Sequence, residues 1–214
     1  MILSNRPEFL SKHKVCVICE GLEEFVYFKR LLALDLWSSE YSFIPINAKG
    51  ESNVFARFQD AYNNDNYEII IIFCDTDKRP YREYSKLKAK VNEFFDKSNA
   101  AQKLILWANP CSMQIILSHF GDVALTTQAK KTNAPIIEQL TGVQDYSGHE
   151  KQVNDICDQI RRSSYSQMKE RLRKDEYSDE ESGSSNVVTF VELFEGDDTG
   201  WMKEINRYLE EGEK

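Results

Sequence analysis

Two stretches of this chain are apolar without interruption, rich in β-branched residues, and run directly into acids. The first reads Lys14-Val15-Cys16-Val17-Ile18-Cys19-Glu20-Gly21; the second reads Tyr67-Glu68-Ile69-Ile70-Ile71-Ile72-Phe73-Cys74-Asp75-Thr76-Asp77. A strand with one wet face alternates apolar and polar residues, whereas a continuous apolar run suits a strand covered on both faces, as in a parallel sheet. Open α/β sheets bind ligands in the crevice beyond the carboxyl ends of their strands. If the two strands are neighbours, Glu20, Asp75 and Asp77 converge there. Such hard oxygen donors repel one another unless a cation neutralises them, and Mg²⁺ (or Mn²⁺) suits them best.

The rest of the first half supports that sheet. Residues 23–36 carry Phe25, Phe28, Leu31, Leu32 and Leu36 at close to helical spacing. Residues 41–46 read as a second strand. Asn47-Ala48-Lys49-Gly50-Glu51 then turns the chain, with Ser52 as the expected cap of a helix through Val54, Phe55, Phe58 and Ala61. A charged amphipathic helix is expected over 81–95, a fourth strand over 103–107 and a helix over 112–120. This β-α alternation predicts a doubly wound sheet with right-handed crossovers. The expected α/β domain spans 12–125, and a mainly helical extension spans 126–214. Within the extension, 153–173 reads as one polar, basic helix and 175–186 as an exposed acidic Ser/Gly-rich loop. Residues 187–194 suggest a short strand or buried turn, and 201–209 a closing amphipathic helix.

Charge and cysteine usage narrow the function. With 27 Lys+Arg against 35 Asp+Glu, the formal charge is −8. Phosphate neutralisation by Lys and Arg dominates nucleic-acid affinity, so a free-standing high-affinity binder is disfavoured. Metal ions or a basic partner can still supply positive charge. Cys16 and Cys19 have C-x-x-C spacing, but residues three apart on a strand point to opposite faces. They read as core cysteines rather than zinc or redox ligands, which implies a reducing, cytoplasmic setting. No apolar stretch is long enough to cross a membrane, and the start of the chain lacks a signal-peptide pattern.

The carboxylates have defined chemical uses. Asp75 and Asp77 lie two apart at a strand end, so both can face one side and hold a shared metal. Glu20 can complete that metal's shell or act as a general base. Glu24, in the first helical turn, is a further candidate facing the crevice, although the helix dipole alone also favours acids at Glu23 and Glu24. Lys49, Lys78 and Arg79 are candidate phosphate contacts, with Arg82 close by. His119 on an apolar helix reads as a hydrogen-bonded packing residue. Residues 161–174, carrying Arg161, Arg162, Lys169, Arg171, Arg173 and Lys174, offer either a nucleic-acid contact or a solvated helix face.

A strand ending in Glu-Gly, followed by one ending in Asp-x-Asp, resembles the Toprim domain of topoisomerases, primases, recombination factors and OLD-type nucleases. Glu20-Gly21-Leu22-Glu23-Glu24-Phe25-Val26-Tyr27-Phe28 is similar to the E-G-x-T-E-x-x-Y-F segment of the RloB-like branch, small proteins encoded beside restriction and phage-defence genes. Asn109-Pro110-Cys111-Ser112-Met113-Gln114-Ile115, with His119-Phe120, is similar to a later N-P-x-F-E-x-W…H-F segment. The resemblance covers about the first 120 residues. Glu23 replaces threonine in the first segment, and Ser112, Met113 and Ile115 replace Phe, Glu and Trp in the second.

The resemblance implies a Rossmann-like Toprim sheet and an Mg²⁺-dependent nuclease in antiviral or restriction-linked defence. It also implies a separately encoded ABC- or AAA-type ATPase partner. RNA, tRNA and DNA all remain open as substrates. The acidic balance and the missing carboxylate at Met113 suggest gating by that partner or by homo-oligomerisation. The alternative is a degenerate Toprim-fold module that senses a nucleotide or recruits a partner without cleavage. An aspartyl-phosphate receiver also places acids at strand ends, but the Glu-Gly strand end counts against it.

Overall fold

The computed structural model describes residues 12–64, 66–77, 80–173 and 178–211. Both acid-ended runs form strands, and both are central. Strand β1 (His13–Cys19) lies between β2 (Tyr41–Asn47) and β3 (Ile69–Asp75), and β4 (Ile105–Ala108) flanks β3. Every pairing is parallel, giving the order β2-β1-β3-β4. Val15–Cys19 are fully buried and Ile69–Cys74 nearly so, as uninterrupted apolar runs require.

Helices cover this Rossmann-like sheet. Helix α1 (Leu22–Ala33) packs on β1 and β2, and α2 (Glu51–Asn64) packs on β1 and β3. Helix α3 (Arg82–Phe95) lies against α2 and against the short α4 (Ala100–Leu104). Lys103 and Leu104 close α4, so the fourth strand starts two residues later than the sequence suggests. Helix α2 starts at Glu51, which leaves Ser52 inside it and not at its cap. The turn ahead of it is made by positive φ at Lys49 (61°) and Gly50 (121°), and the Lys49 amide donates to Asn47 Oδ1 at 2.8 Å.

The C-terminal region is helical: α5 (Met113–Leu117), α6 (Lys130–Thr141), α7 (Glu150–Cys157), α8 (Arg162–Leu172), α9 (Val187–Glu195) and α10 (Gly200–Glu210). Three expectations are corrected here. The single basic helix over 153–173 is two, α7 and α8. Arg30 of α1 donates to the carbonyls of Asp158 and Ile160 at the break, satisfying acceptors a continuous helix would have used itself. The segment 187–194 is helix α9, neither strand nor turn. Its valines suggest a strand, but Val187, Val188, Phe190, Val191 and Phe194 are buried at helical spacing, and tertiary packing overrides propensity.

The third correction concerns the acidic loop, described from residue 178. Its later part is not an exposed linker. Ser185 forms an antiparallel bridge with Ala108, and Asn186 Oδ1 accepts the Trp107 amide while its Nδ2 donates to the Ile105 carbonyl, both at 2.8 Å. These contacts occupy the outer edge of β4, where unpaired backbone groups invite pairing with other chains. From there α9 carries Phe194 to the opposite edge, where its ring lies 4.8 Å from that of Phe43 in β2. One hydrophobic cluster therefore contains residues from both halves of the chain.

Asn186→Ala removes both side-chain bonds to β4. The expected loss is about 2 kcal/mol, a fall of about 4–8 °C in thermal midpoint, read by circular dichroism.

Candidate active site

The sheet order has a switch point. From β1 the chain moves to β2 on one side, then crosses to β3 on the other, so the carboxyl ends of β1 and β3 flank the crevice where such sheets take ligands. Glu20 directly follows β1, and its amide extends the ladder by donating to the Phe73 carbonyl at 2.9 Å. Asp75 ends β3. Its amide donates to Glu20 Oε2 at 3.2 Å, and its own Oδ1 accepts the Ser112 amide at 2.7 Å. Asp77 adopts positive φ (60°) and anchors its amide on the Pro110 carbonyl at 3.0 Å. Glu20, Glu24, Asp75 and Asp77 all line one crevice of about 250 Å³.

Glu24 reaches back to cap its own helix, its Oε2 accepting the Gly21 amide at 2.8 Å. Gly21 has φ −138°, so its role is not a left-handed turn. A β-carbon there would stand 3.2 Å from Glu24 Oε2, and the absence of one lets the carboxylate approach. Glu23, buried beside it, accepts the Tyr146 hydroxyl at 2.7 Å and pairs with Lys130 at 2.8 Å. The same Tyr146 hydroxyl lies 3.6 Å from Met113 Sδ. A carboxylate is therefore present beside Met113, donated by α1.

Burial and mutual repulsion raise the pKa of Glu20, Glu24 and Asp75 above the usual carboxylate range. Glu20 is pushed up to about 8, by burial first and then by the nearby Glu24 charge, with the Asp75 amide opposing. Glu24 is raised by burial and by Glu23. Asp75 is raised well above the carboxylate range by burial, then by Glu24 and Glu20. A cation in the crevice reverses each of these effects.

The donor chemistry fits a hard divalent ion: carboxylates, joined by the buried Gln128 Oε1, which lines the same crevice and has no hydrogen-bond partner. Among the described residues, however, no group of three or more His, Cys, Asp or Glu side chains is placed to hold a metal by itself. Mg²⁺ commonly binds through one or two carboxylates, with water and substrate phosphate completing its shell. The residues present match that mode and not an all-protein cage.

The other candidates fall elsewhere. Lys49 is exposed in the β2–α2 turn and does not line the crevice, although the adjacent Gly50 amide donates to the Glu20 carbonyl at 2.8 Å. Lys78 and Arg79 lie outside the described residues. His119 is buried between the Tyr27 hydroxyl (2.9 Å) and Ser164 Oγ (3.2 Å), and burial lowers its pKa to about 3, so it is a neutral packing residue. All five cysteines are buried thiols outside any disulfide. The basic stretch forms ion pairs, mostly at the surface: Arg162 with Asp35, Lys169 with Glu195, Arg171 with Asp122 and Arg173 with Glu192, while Arg161, Arg162 and Arg173 stay exposed.

Sequence reasoning missed the crevice's cation. Lys130 begins α6 and lies across Gly148, whose φ is 82° and where any β-carbon would collide with the Lys130 ammonium. Nothing in the local pattern of 128–148 marks Lys130, Gln128 or Tyr146, because their meeting with Glu23 is purely tertiary. No match to this chain was found among protein-family models, curated proteins or solved structures. No helix among the described residues is long and apolar enough to cross a membrane.

A carboxyl that keeps its proton to higher pH when folded than when unfolded stabilises the fold below its unfolded pKa. That stabilisation is lost as pH rises through the folded value. For Glu20 the window runs from the ordinary 4.5 to about 8. The thermal midpoint of metal-free protein is therefore expected to fall across that range, and Glu20→Gln to lessen the fall by about 2–8 °C. Thermal melts at stepped pH check this; an unchanged slope in the variant would assign the dependence to other groups.

Proposed function

We propose that this protein is an Mg²⁺-dependent phosphodiester hydrolase of Toprim type, a nuclease acting on RNA, tRNA or DNA. The observation that carries the reading is the junction of Glu20 and Asp75. Two buried carboxyls, linked through the Asp75 amide, meet at the ends of adjacent parallel strands in a crevice they make strongly acidic. Two structural anions can be accommodated more cheaply on the surface; clustering them at a switch point suits cation-assisted chemistry on an anionic substrate.

Asp75 and Asp77 would hold the ion, with Gln128 Oε1 alongside. When bound, Mg²⁺ would screen phosphate charge and stabilise the leaving oxygen. Glu20, its Oε2 held at the Asp75 amide, is positioned to take a proton from the attacking water. Lys130, held by Glu23 across Gly148, offers its ammonium to a non-bridging phosphate oxygen. Ser112 fixes Asp75 through its backbone amide, so its side-chain identity matters less than its position.

The formal charge of −8 disfavours drawing in nucleic acid unaided. We therefore place the activity under control of a partner ATPase or of self-association, in antiviral or restriction-linked defence, as the sequence resemblance implies. A second reading is a nucleotide-sensing or recruiting module without cleavage. Met113, where the similar segment carries a carboxylate, favours it.

The test is a cleavage assay with Mg²⁺ or Mn²⁺ on pooled tRNA, single-stranded RNA and duplex DNA, with Asp75→Asn in parallel. Asparagine keeps an acceptor for the Ser112 amide while removing the charge. Cation-dependent cleavage reduced about 100-fold or more in the variant is expected. Equal cleavage by both proteins would remove Asp75 from the chemistry, and no cleavage of any substrate by the folded wild type, with or without the ATPase, would favour the sensing module.

A further inference from the structure

Helix α1 has two differently used faces. Tyr27, Phe28 and Leu31 pack into the core, whereas Leu22, Phe25 and Val26 remain half-exposed along a second stripe at helical spacing. That stripe does not face open solvent. It forms one wall of a cleft of about 420 Å³ whose other wall is α7, within the range of small-molecule sites. Leu22 lines both this cleft and the acidic crevice. It lies two residues from Glu20, at most about 7 Å along the chain. A group held at the carboxylates is therefore within one nucleotide step of the cleft.

The cleft's chemistry selects among occupants. Phe25 offers an aromatic face, with the Lys29 ammonium 5.3 Å from the ring centroid. Lys29 and Arg30 on α1 are balanced by Glu150 on α7 and by Asp158 just beyond its end, so the lining carries no net formal charge. A polyanion gains little there. A flat, neutral, hydrogen-bonding ring gains stacking on Phe25, and the amides of Asn47 and Asn154 lie in the same lining to meet its polar edge.

We propose that the α1–α7 cleft is a nucleobase subsite, which holds the base next to the phosphate bound at Glu20 and Asp75. The inference rests on the phosphodiester reading for what occupies the crevice, and it assigns that substrate a base-bearing, single-stranded or unstacked nucleotide at the cut. A base still paired in a duplex cannot enter a cleft between two helices without leaving its stack.

The test is a nitrogen–proton correlation NMR titration of the full-length, isotopically labelled protein with Mg²⁺ present. The probes are adenosine 5′-monophosphate, uridine 5′-monophosphate and ribose 5-phosphate, in the millimolar range. The nucleotides are expected to shift amides of Leu22–Ala33 and Glu150–Cys157 saturably. Ribose 5-phosphate should move only amides around Glu20 and Asp75. The exposed Lys29→Glu should weaken nucleotide binding about fivefold while keeping a native spectrum.

Identical shifts from nucleotides and ribose 5-phosphate, or no nucleotide-induced shift in either helix, would overturn the subsite. The cleavage assay separates the two proposals. Cleavage without cleft shifts removes the subsite alone, whereas cleft shifts in a protein that cuts nothing remove the hydrolase and leave a nucleotide-binding cleft.

Discussion

The parallel pairing of β1 with β3 is the contact on which the rest of the molecule depends. Its register sets Cys19 opposite Phe73, and the next amide, that of Glu20, continues the ladder onto the Phe73 carbonyl. Glu20 is thereby delivered to the end of β3, where the Asp75 amide meets its carboxylate. A one-residue slip would turn every side chain of β3 to the other face. Ile69–Ile72 are nearly or fully buried on both faces, each contributing about 1.5–3 kcal/mol through burial, and the acids Glu68 and Asp75 on either side of the apolar run mark where the buried segment stops. The strands' apolar content thus holds in place an arrangement of charges that would not hold itself together.

The site is unfavourable by construction. Burial and repulsion raise Glu20, Glu24 and Asp75 together, and all three carboxyls are also tied to backbone amides that keep them from turning away. Internal relief comes from Lys130, which meets Glu23 and not the strand-end acids. Carboxyls that burial and one another make costly to ionise, gathered at one crevice, are the physical basis for proposing a cation and a phosphate there. Among the described residues no three His, Cys, Asp or Glu side chains form a closed cage, so an ion proposed there would take the rest of its shell from water and substrate.

The C-terminal half does more than follow the sheet. Residues 183–186 occupy the outer edge of β4, and α9 crosses from there to the aromatic cluster around Trp37 and Phe43 on β2. Lys130, Gln128 and Tyr146 reach the crevice, and α7 supplies one wall of the neighbouring cleft. Meanwhile α8 spends its basic side chains on carboxylates and carbonyls. The region therefore shapes the site, and ion pairs temper the charge of its basic helix.

What the sequence determined by itself was whatever depends on near neighbours in the chain. Continuous apolar runs identified β1 and β3 as covered strands, helical spacing identified α1, α2 and α3, and the acids at the strand ends were visible as such. Ser52, the single basic helix and the valine-rich segment at 187–194 were misread because their outcomes depend on distant partners. Arg30 holds open the break between α7 and α8, and the sheet's outer faces draw α9 into a helix despite its valines. The crevice shows the same division. Glu20, Asp75 and Asp77 follow from strand ends, but their junction depends on strand order, and Lys130, Gln128 and Tyr146 arrive from beyond residue 127 with no local signature. Side-chain period and composition are encoded within one turn or one strand. Which carboxylate meets which cation is decided only when segments about 100 residues apart in the chain are packed against the same sheet.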